Sequence, residues 1–354
     1  MTFTVHDRSR ESYFDSIEVQ DPLTFSQKKR TLKQFSDFCL TIFKQSDESI
    51  ISELLKQKSN DMAINSCDLL QQWINSITKR LSPSTIKVYL SHVKGYFNYR
   101  GIKLTSQDMV SLNTPREAIE EKYPLSKDEI KQILDNANYK RKTLYLTLSS
   151  SLMRIGETVQ LRKKDFDTTK ERIVIHIPSK IAKFMKARTT FASEETRPYI
   201  MKRLNEIEDN DLVFGSSEKK SNSIMNEEEY FSKRIDRTFP NLERYSTGRR
   251  KISLHSFRAF GITKAVRKVS DSFAFLLAGQ KGYLSMYKRY TEEEKLEDYL
   301  KLEPELSIYN DYSLTDESKN EEIELLKSDM KDMKRDMKIL LSGMKEEIKK
   351  NESS

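Results

Sequence analysis

The first 112 residues read as helices only, and no other feature restricts the fold of this chain so strongly. Phe25, Leu32, Phe35, Phe38, Cys39 and Phe43 recur at the spacing that puts side chains on one helical face, and Leu69, Leu70, Trp73, Ile74 and Ile77 repeat it. Ser82-Pro83-Ser84-Thr85 then supplies an N-cap hydroxyl with proline in the first turn, where its missing N–H costs nothing. Ile86, Tyr89, Leu90, Val93 and Phe97 continue that helix to a stop at Gly101. Apolar faces of this kind must bury against one another, so residues 1–112 are expected to form a compact helical bundle. Lys79, Arg80, Lys87, Lys94, Arg100 and Lys103 stud its later half, either as a solvated face or as phosphate contacts.

At 354 residues the chain is too long for one such core and predicts two domains with an appendage. Residues 113–124 lack apolar periodicity and hold Pro115, Pro124 and several charges, the texture of a linker. A second domain is expected over 125–310. Ser126 and Glu129 make a capping-box pair ahead of Ile130, Ile133 and Leu134, and a further helix covers Leu144 to Leu152. Arg172-Ile-Val-Ile-His-Ile177 alternates and is rich in strand formers, Arg188-Thr-Thr-Phe-Ala192 is its expected partner, and helices resume from about Glu194. The second domain is therefore expected to be mostly helical, with a small antiparallel sheet.

Residues 311–354 are different in kind. Ile323, Met330, Met337 and Met344 occupy one heptad position and Leu326, Met333, Leu340 and Glu347 the other, a coiled-coil seam with a single polar place. Such a tail implies a homo-oligomer, although methionine fills a seam without dictating how many chains share it. The net charge is +8, and because residues 311–354 carry 12 acidic and 9 basic groups, residues 1–310 hold +11. A polyanion suits such a body, since every phosphate contact releases counterions. Only Cys39 and Cys67 occur, outside any metal-ligand spacing, which argues against a zinc site or disulfides and fits two buried small side chains in a reducing compartment. No apolar run suits a membrane span, Met1 to Arg10 are too polar for a secretory signal, and the expected location is the cytoplasm.

The chemistry-bearing residues come in a fixed order. Ser149-Ser-Ser-Leu-Met-Arg154-Ile-Gly-Glu157 leads to Leu161 and Asp165; then come Lys183 ahead of Arg188-Thr-Thr-Phe-Ala-Ser, His255-Ser-Phe-Arg258, and Gly279-Gln280-Lys-Gly-Tyr-Leu-Ser-Met-Tyr287-Lys-Arg-Tyr290-Thr-Glu-Glu-Glu. Each piece alone is weak, but together they resemble the tyrosine recombinase, or phage integrase, family over roughly residues 20–310. The closest texture is that of archaeal integrases, in which a tyrosine, an arginine and a Thr/Ser-Glu-Glu-Glu run lead into a helix such as Leu296 to Leu300. The resemblance implies a helical core-binding domain, a mixed α/β catalytic domain of the DNA breaking-rejoining type, and cutting and rejoining of duplex DNA by a tetramer associated with the nucleoid. It makes Lys79, Arg80, Lys87 and Lys94 the candidate DNA contacts of the core-binding domain.

The chemistry fits those residue types. Attack on a phosphodiester loads charge onto the non-bridging oxygens, and the forked guanidiniums of Arg154 and Arg258 can hold it without a metal. His255 is the candidate base for a tyrosine whose ordinary pKa is near 10, and Lys183, with Lys180 and Lys186 as neighbours, is the candidate acid for the departing 5′ oxygen. Glu157 and Asp165 are expected to orient Arg154 and to cap a turn. A phosphotyrosine conserves bond energy, so no nucleotide cofactor is needed, and the chain has no Walker-type G-x-x-x-x-G-K-[ST] loop. Gln280 stands where relatives often carry His or Trp; its amide can still donate to a phosphate. The match to Thr291-Glu-Glu-Glu points to Tyr287 as nucleophile, whereas the spacing with Lys281 in the histidine place points to Tyr290. A topoisomerase-like relaxation activity and a DNA-binding protein with weakened cutting remain as alternatives.

Overall fold

A computed structural model describes residues 8–19, 22–116, 120–280 and 290–309. The chain divides between Glu121 and Lys122 into two compact units. The first is all helix: α1 (Arg10–Ile17), α2 (Pro22–Phe43), α3 (Asp47–Leu54), α4 (Ser59–Ile77), α5 (Pro83–Arg100) and the short α6 (Ser106–Val110). The start of α5 follows its local sequence, with Ser82 Oγ accepting the Thr85 N–H. At its end Gly101 takes φ 108°, a left-handed angle that glycine adopts without a Cβ penalty. Leu32, Phe35, Cys39, Leu70, Trp73, Ile86, Val93 and Phe97 form the core. Phe35 meets Trp73 and Phe97 edge to face at 5.3 and 5.8 Å, the geometry that ring quadrupoles favour. Cys39 and Cys67 are buried and unbonded.

In the second unit α7 (Lys127–Asp135), α8 (Tyr139–Ser151) and α9 (Ile155–Thr158) lead to a three-stranded antiparallel sheet, β1 (Phe166–Asp167), β2 (Ile173–Ile177) and β3 (Arg188–Ala192). It continues with α10 (Arg197–Asn205), α11 (Lys220–Thr238), α12 (Leu254–Lys268), α13 (Asp271–Ala278) and α14 (Glu292–Leu306). The capping box of Ser126 and Glu129 is present, and β2 pairs with β3 from Ile173–Ala192 to Ile177–Arg188. The edge strand β1 was not foreseen, because two residues show no period. Nor does β2 keep the expected alternation: Ile173, Val174, Ile175 and Ile177 are buried and His176 alone is exposed, so the face that carries Val174 is covered at one end and open at the other.

Helices α8 and α12 form the spine. Tyr145 stacks on Phe257 at 5.4 Å, and Phe231 of α11 packs edge-on against both. At Gly261 the two helices are so close that a Cβ would come within 2.9 Å of the Leu152 side chain and 3.0 Å of the Ser149 carbonyl. Helix α14 is pinned to the same body. Tyr299 Oη donates to the Ser150 carbonyl at 3.1 Å, and the buried Glu303 carboxylate accepts two bonds from Arg172 at 3.0 Å and the Glu194 N–H at 2.6 Å. The expected coiled coil, residues 311–354, lies outside the described residues. No helix among the described residues is long and apolar enough to cross a membrane, and none of them form a His/Cys/Asp/Glu cluster able to hold a metal ion.

Candidate active site

Three arginines converge on the last turn of α13. A helix C-terminus presents carbonyls without intrahelical partners and the negative end of the helix dipole, so it attracts cations. Arg188 Nε donates to the Leu277 carbonyl at 3.0 Å, and Arg154 and Arg258 both donate to the Ala278 carbonyl, at 3.2 and 2.6 Å. Arg258, on α12, also donates to the Leu152 carbonyl where α8 ends in a left-handed residue of φ 58°. The sequence-predicted pair Arg154 and Arg258 is thus brought to one point by the ends of α8, α9 and α13.

Glu157 binds this cluster together. Its carboxylate accepts Arg188 at 2.7 and 3.3 Å, the Arg154 guanidinium and backbone N–H at 3.2 Å each, and the Lys183 N–H at 3.1 Å. Burial would push this carboxyl up, but the hydrogen bonds and charge of Arg188, with the Lys183 and Arg154 N–H groups, overcome it and hold it at about 2. Arg258 is 1% exposed, and burial, seconded by Arg154 and Arg188 and opposed by Glu157, lowers its guanidinium to about 9, so it stays charged at neutral pH. Its Nε has no hydrogen-bond partner among the described residues. One carboxylate against Arg154, Arg188 and Arg258 leaves positive charge uncompensated, and a buried donor without an acceptor is costly unless a ligand supplies one.

His255 stands one turn before Arg258 on the same helix. The residue is exposed, yet desolvation and then Arg258, Arg154 and Lys183 hold its imidazole below the ordinary value, favouring the neutral form that can accept a proton. Lys183 stands in the β2–β3 connection, exposed, with only its backbone tied to Glu157. Gln280 is exposed, and its N–H closes the end of α13 by donating to the Phe275 carbonyl at 2.9 Å. Tyr290 is half-buried with its ring 6.5 Å from Phe273, and Thr291 caps α14 in a reciprocal pair with Glu294. Tyr287 lies outside the described residues.

Asp165 caps a turn by accepting the Arg162 N–H at 2.8 Å, and Glu157 orients Arg154. The sequence marks Arg188 only as a strand residue; the available signal is a lone cation heading an otherwise uncharged, largely buried strand. In the helical unit Lys79, Arg80 and Lys87 are exposed and Lys94 is half-buried. Arg100 is committed to Glu48 at 3.2 Å, Tyr96 at 3.1 Å and Ser52 at 3.3 Å, so it is a structural cation.

Residues 124–295 match the family model described as phage integrase family. No curated protein matches the sequence. Among solved structures, lambda integrase as a dimer bound to a COC′ core site is similar at a TM-score of 0.53 and 12% identity, over 80% of this chain and 99% of that one. The XerH site-specific recombinase with palindromic difH substrate, a post-cleavage complex, is similar at 0.51 and 19% identity, over 81% and 82%. At these identities the likeness to solved structures is one of fold, and the family match carries the assignment. The chain has a phage integrase family domain, which makes it a tyrosine site-specific recombinase acting on DNA.

Proposed function

We propose that this recombinase cuts duplex DNA by attack of the Tyr287 oxygen on phosphorus, leaving a 3′-phosphotyrosyl link and a free 5′ hydroxyl, and rejoins it by the reverse reaction. The observation that carries this reading is the buried Arg258 guanidinium beside Arg154, with an unpartnered Nε and excess positive charge, a place built for a tetrahedral anion. His255 accepts the tyrosine proton; a depressed imidazole value supports that role. Lys183 protonates the departing 5′ oxygen. Its proximity to His255 and its tether to Glu157 favour it over Lys180 and Lys186. Gln280 donates to the phosphate beside them. The Tyr290 ring contact with Phe273 and its place against the Thr291 cap favour Tyr287 as the nucleophile.

The same reading makes the helical unit a core-binding domain that touches DNA through Lys79, Arg80, Lys87 and Lys94. It gives the heptads of residues 311–354 the task of holding protomers together as a tetramer on DNA, and the Thr-Glu-Glu-Glu texture supports the archaeal subclass. Strand exchange between two differently labelled duplexes in EDTA, without ATP, is the test. Joint products carrying both labels are expected; relaxation of a supercoiled circle with no joint product would instead support a topoisomerase-like activity.

A further inference from the structure

Between β2 and β3 the chain passes through Lys183–Met185, and there two successive bulky residues take left-handed backbone angles, Phe184 at φ 71° and Met185 at φ 53°. Residues with a Cβ avoid this region, and neither side chain has the short polar group that lets Asn or Asp tolerate it. The strained turn displays both side chains, with Phe184 59% and Met185 69% exposed where a hairpin tip ordinarily carries Gly, Asn, Asp or Ser. Strain of this sort persists where the surrounding structure holds it, and ligand clamps are among the places it collects.

The surroundings favour a nucleic-acid ligand. Residues 178–187 hold Lys180, Lys183 and Lys186 and no acidic residue. The root of the tip belongs to the active site, because the Lys183 N–H is bonded to Glu157 and the Lys183 charge acts on His255. We propose that Phe184 and Met185 form an apolar wedge that enters the duplex beside the scissile phosphate and partly unstacks one base step, while Lys180 and Lys186 hold flanking phosphates. This rests on the recombinase reading of the site. Apolar wedges between base steps are an established way of deforming a duplex, and their cost falls where the step is already loosened. A wedge at the cut also serves the reaction: the freed 5′ strand must leave its own helix to reach a partner, and a step already unstacked shortens that departure.

The test uses the full chain and a nicked suicide duplex of the sequence that the wild-type protein enriches from a random pool, in two forms: fully paired, and with one mismatched pair beside the scissile phosphate. On the paired duplex, the double variant Phe184→Ala, Met185→Ala is expected to form covalent adduct about tenfold more slowly than wild type, and on the mismatched duplex to recover to within about twofold, since the unstacking is then supplied by the DNA. Phe184→Leu, which keeps the apolar bulk, should stay near wild type on both. A loss that the mismatch does not rescue means the tip acts by placing Lys183, and no loss means it has no part in cutting; either overturns the wedge while the recombinase reading stands. Unchanged cleavage with altered sedimentation of the DNA-free double variant would assign the tip to a contact between copies and overturn it equally. Failure of wild type to form adduct on either duplex would overturn both readings together.

Discussion

Replacing Arg258 by lysine is expected to slow covalent adduct formation by about 100- to 1000-fold in single-turnover cleavage of a labelled duplex. Lysine keeps the charge but offers one ammonium where the guanidinium spans two carbonyls, Leu152 and Ala278, and still has Nε to give. An ammonium that satisfies the carbonyls leaves the phosphate unheld, and one that turns to the phosphate leaves buried acceptors unpaired. Duplex affinity, set mainly by exposed lysines and arginines elsewhere, should change far less than the cleavage rate. A rate loss below about tenfold, with normal melting of the variant, would remove Arg258 from the transition state and leave it a structural cation.

Glu157→Gln is expected to destabilise the catalytic unit by roughly 3–5 kcal/mol, because it removes the one carboxylate shared by Arg154 and Arg188 and turns an amide N–H toward guanidinium donors. The pH dependence has a definite sign. The folded carboxyl is held at about 2 against an ordinary 4.5, so its stabilisation is fully present above pH 4.5 and is lost as pH falls toward 2. Denaturant melts at pH 7 and pH 3 should therefore show wild type losing stability that the glutamine variant never had, so that the gap between them narrows in acid. A gap that stays constant would mean that the carboxylate charge is not what holds the Arg154 and Arg188 elements together.

The elements legible in the sequence were those whose reasons are local. Ser82, Pro83 and Gly101 bound α5, Ser126 and Glu129 start α7, and Arg188–Ala192 pairs with β2, because caps, turns and β-branched runs act within a few residues. The polar run at the end of α8 does not face solvent. Ser149, Ser150 and Ser151 are buried, their hydroxyls bonded within their own helix, as in Ser150 Oγ to the Leu146 carbonyl at 2.8 Å, so polarity there did not signal a surface. Within the site the ordered motifs pointed to Arg154, His255 and Arg258, which the fold brings together. The approach of Arg188 to Gly279 is not visible in the sequence, because it spans 91 residues: at Gly279, φ 59°, a Cβ would come within 2.8 Å of the Arg188 guanidinium. Distances of that kind emerge only when the hairpin and α13 have docked.

The most direct measurement of the central claim is covalent trapping on a nicked suicide duplex of the enriched sequence, in EDTA, with wild type, Tyr287→Phe and Tyr290→Phe run on one denaturing gel. The account predicts a slow-migrating protein–DNA adduct for wild type and Tyr290→Phe and none for Tyr287→Phe. An adduct that survives in Tyr287→Phe and vanishes in Tyr290→Phe would move the nucleophile, and no adduct from wild type on a duplex it binds tightly would contradict the phosphotyrosine mechanism itself.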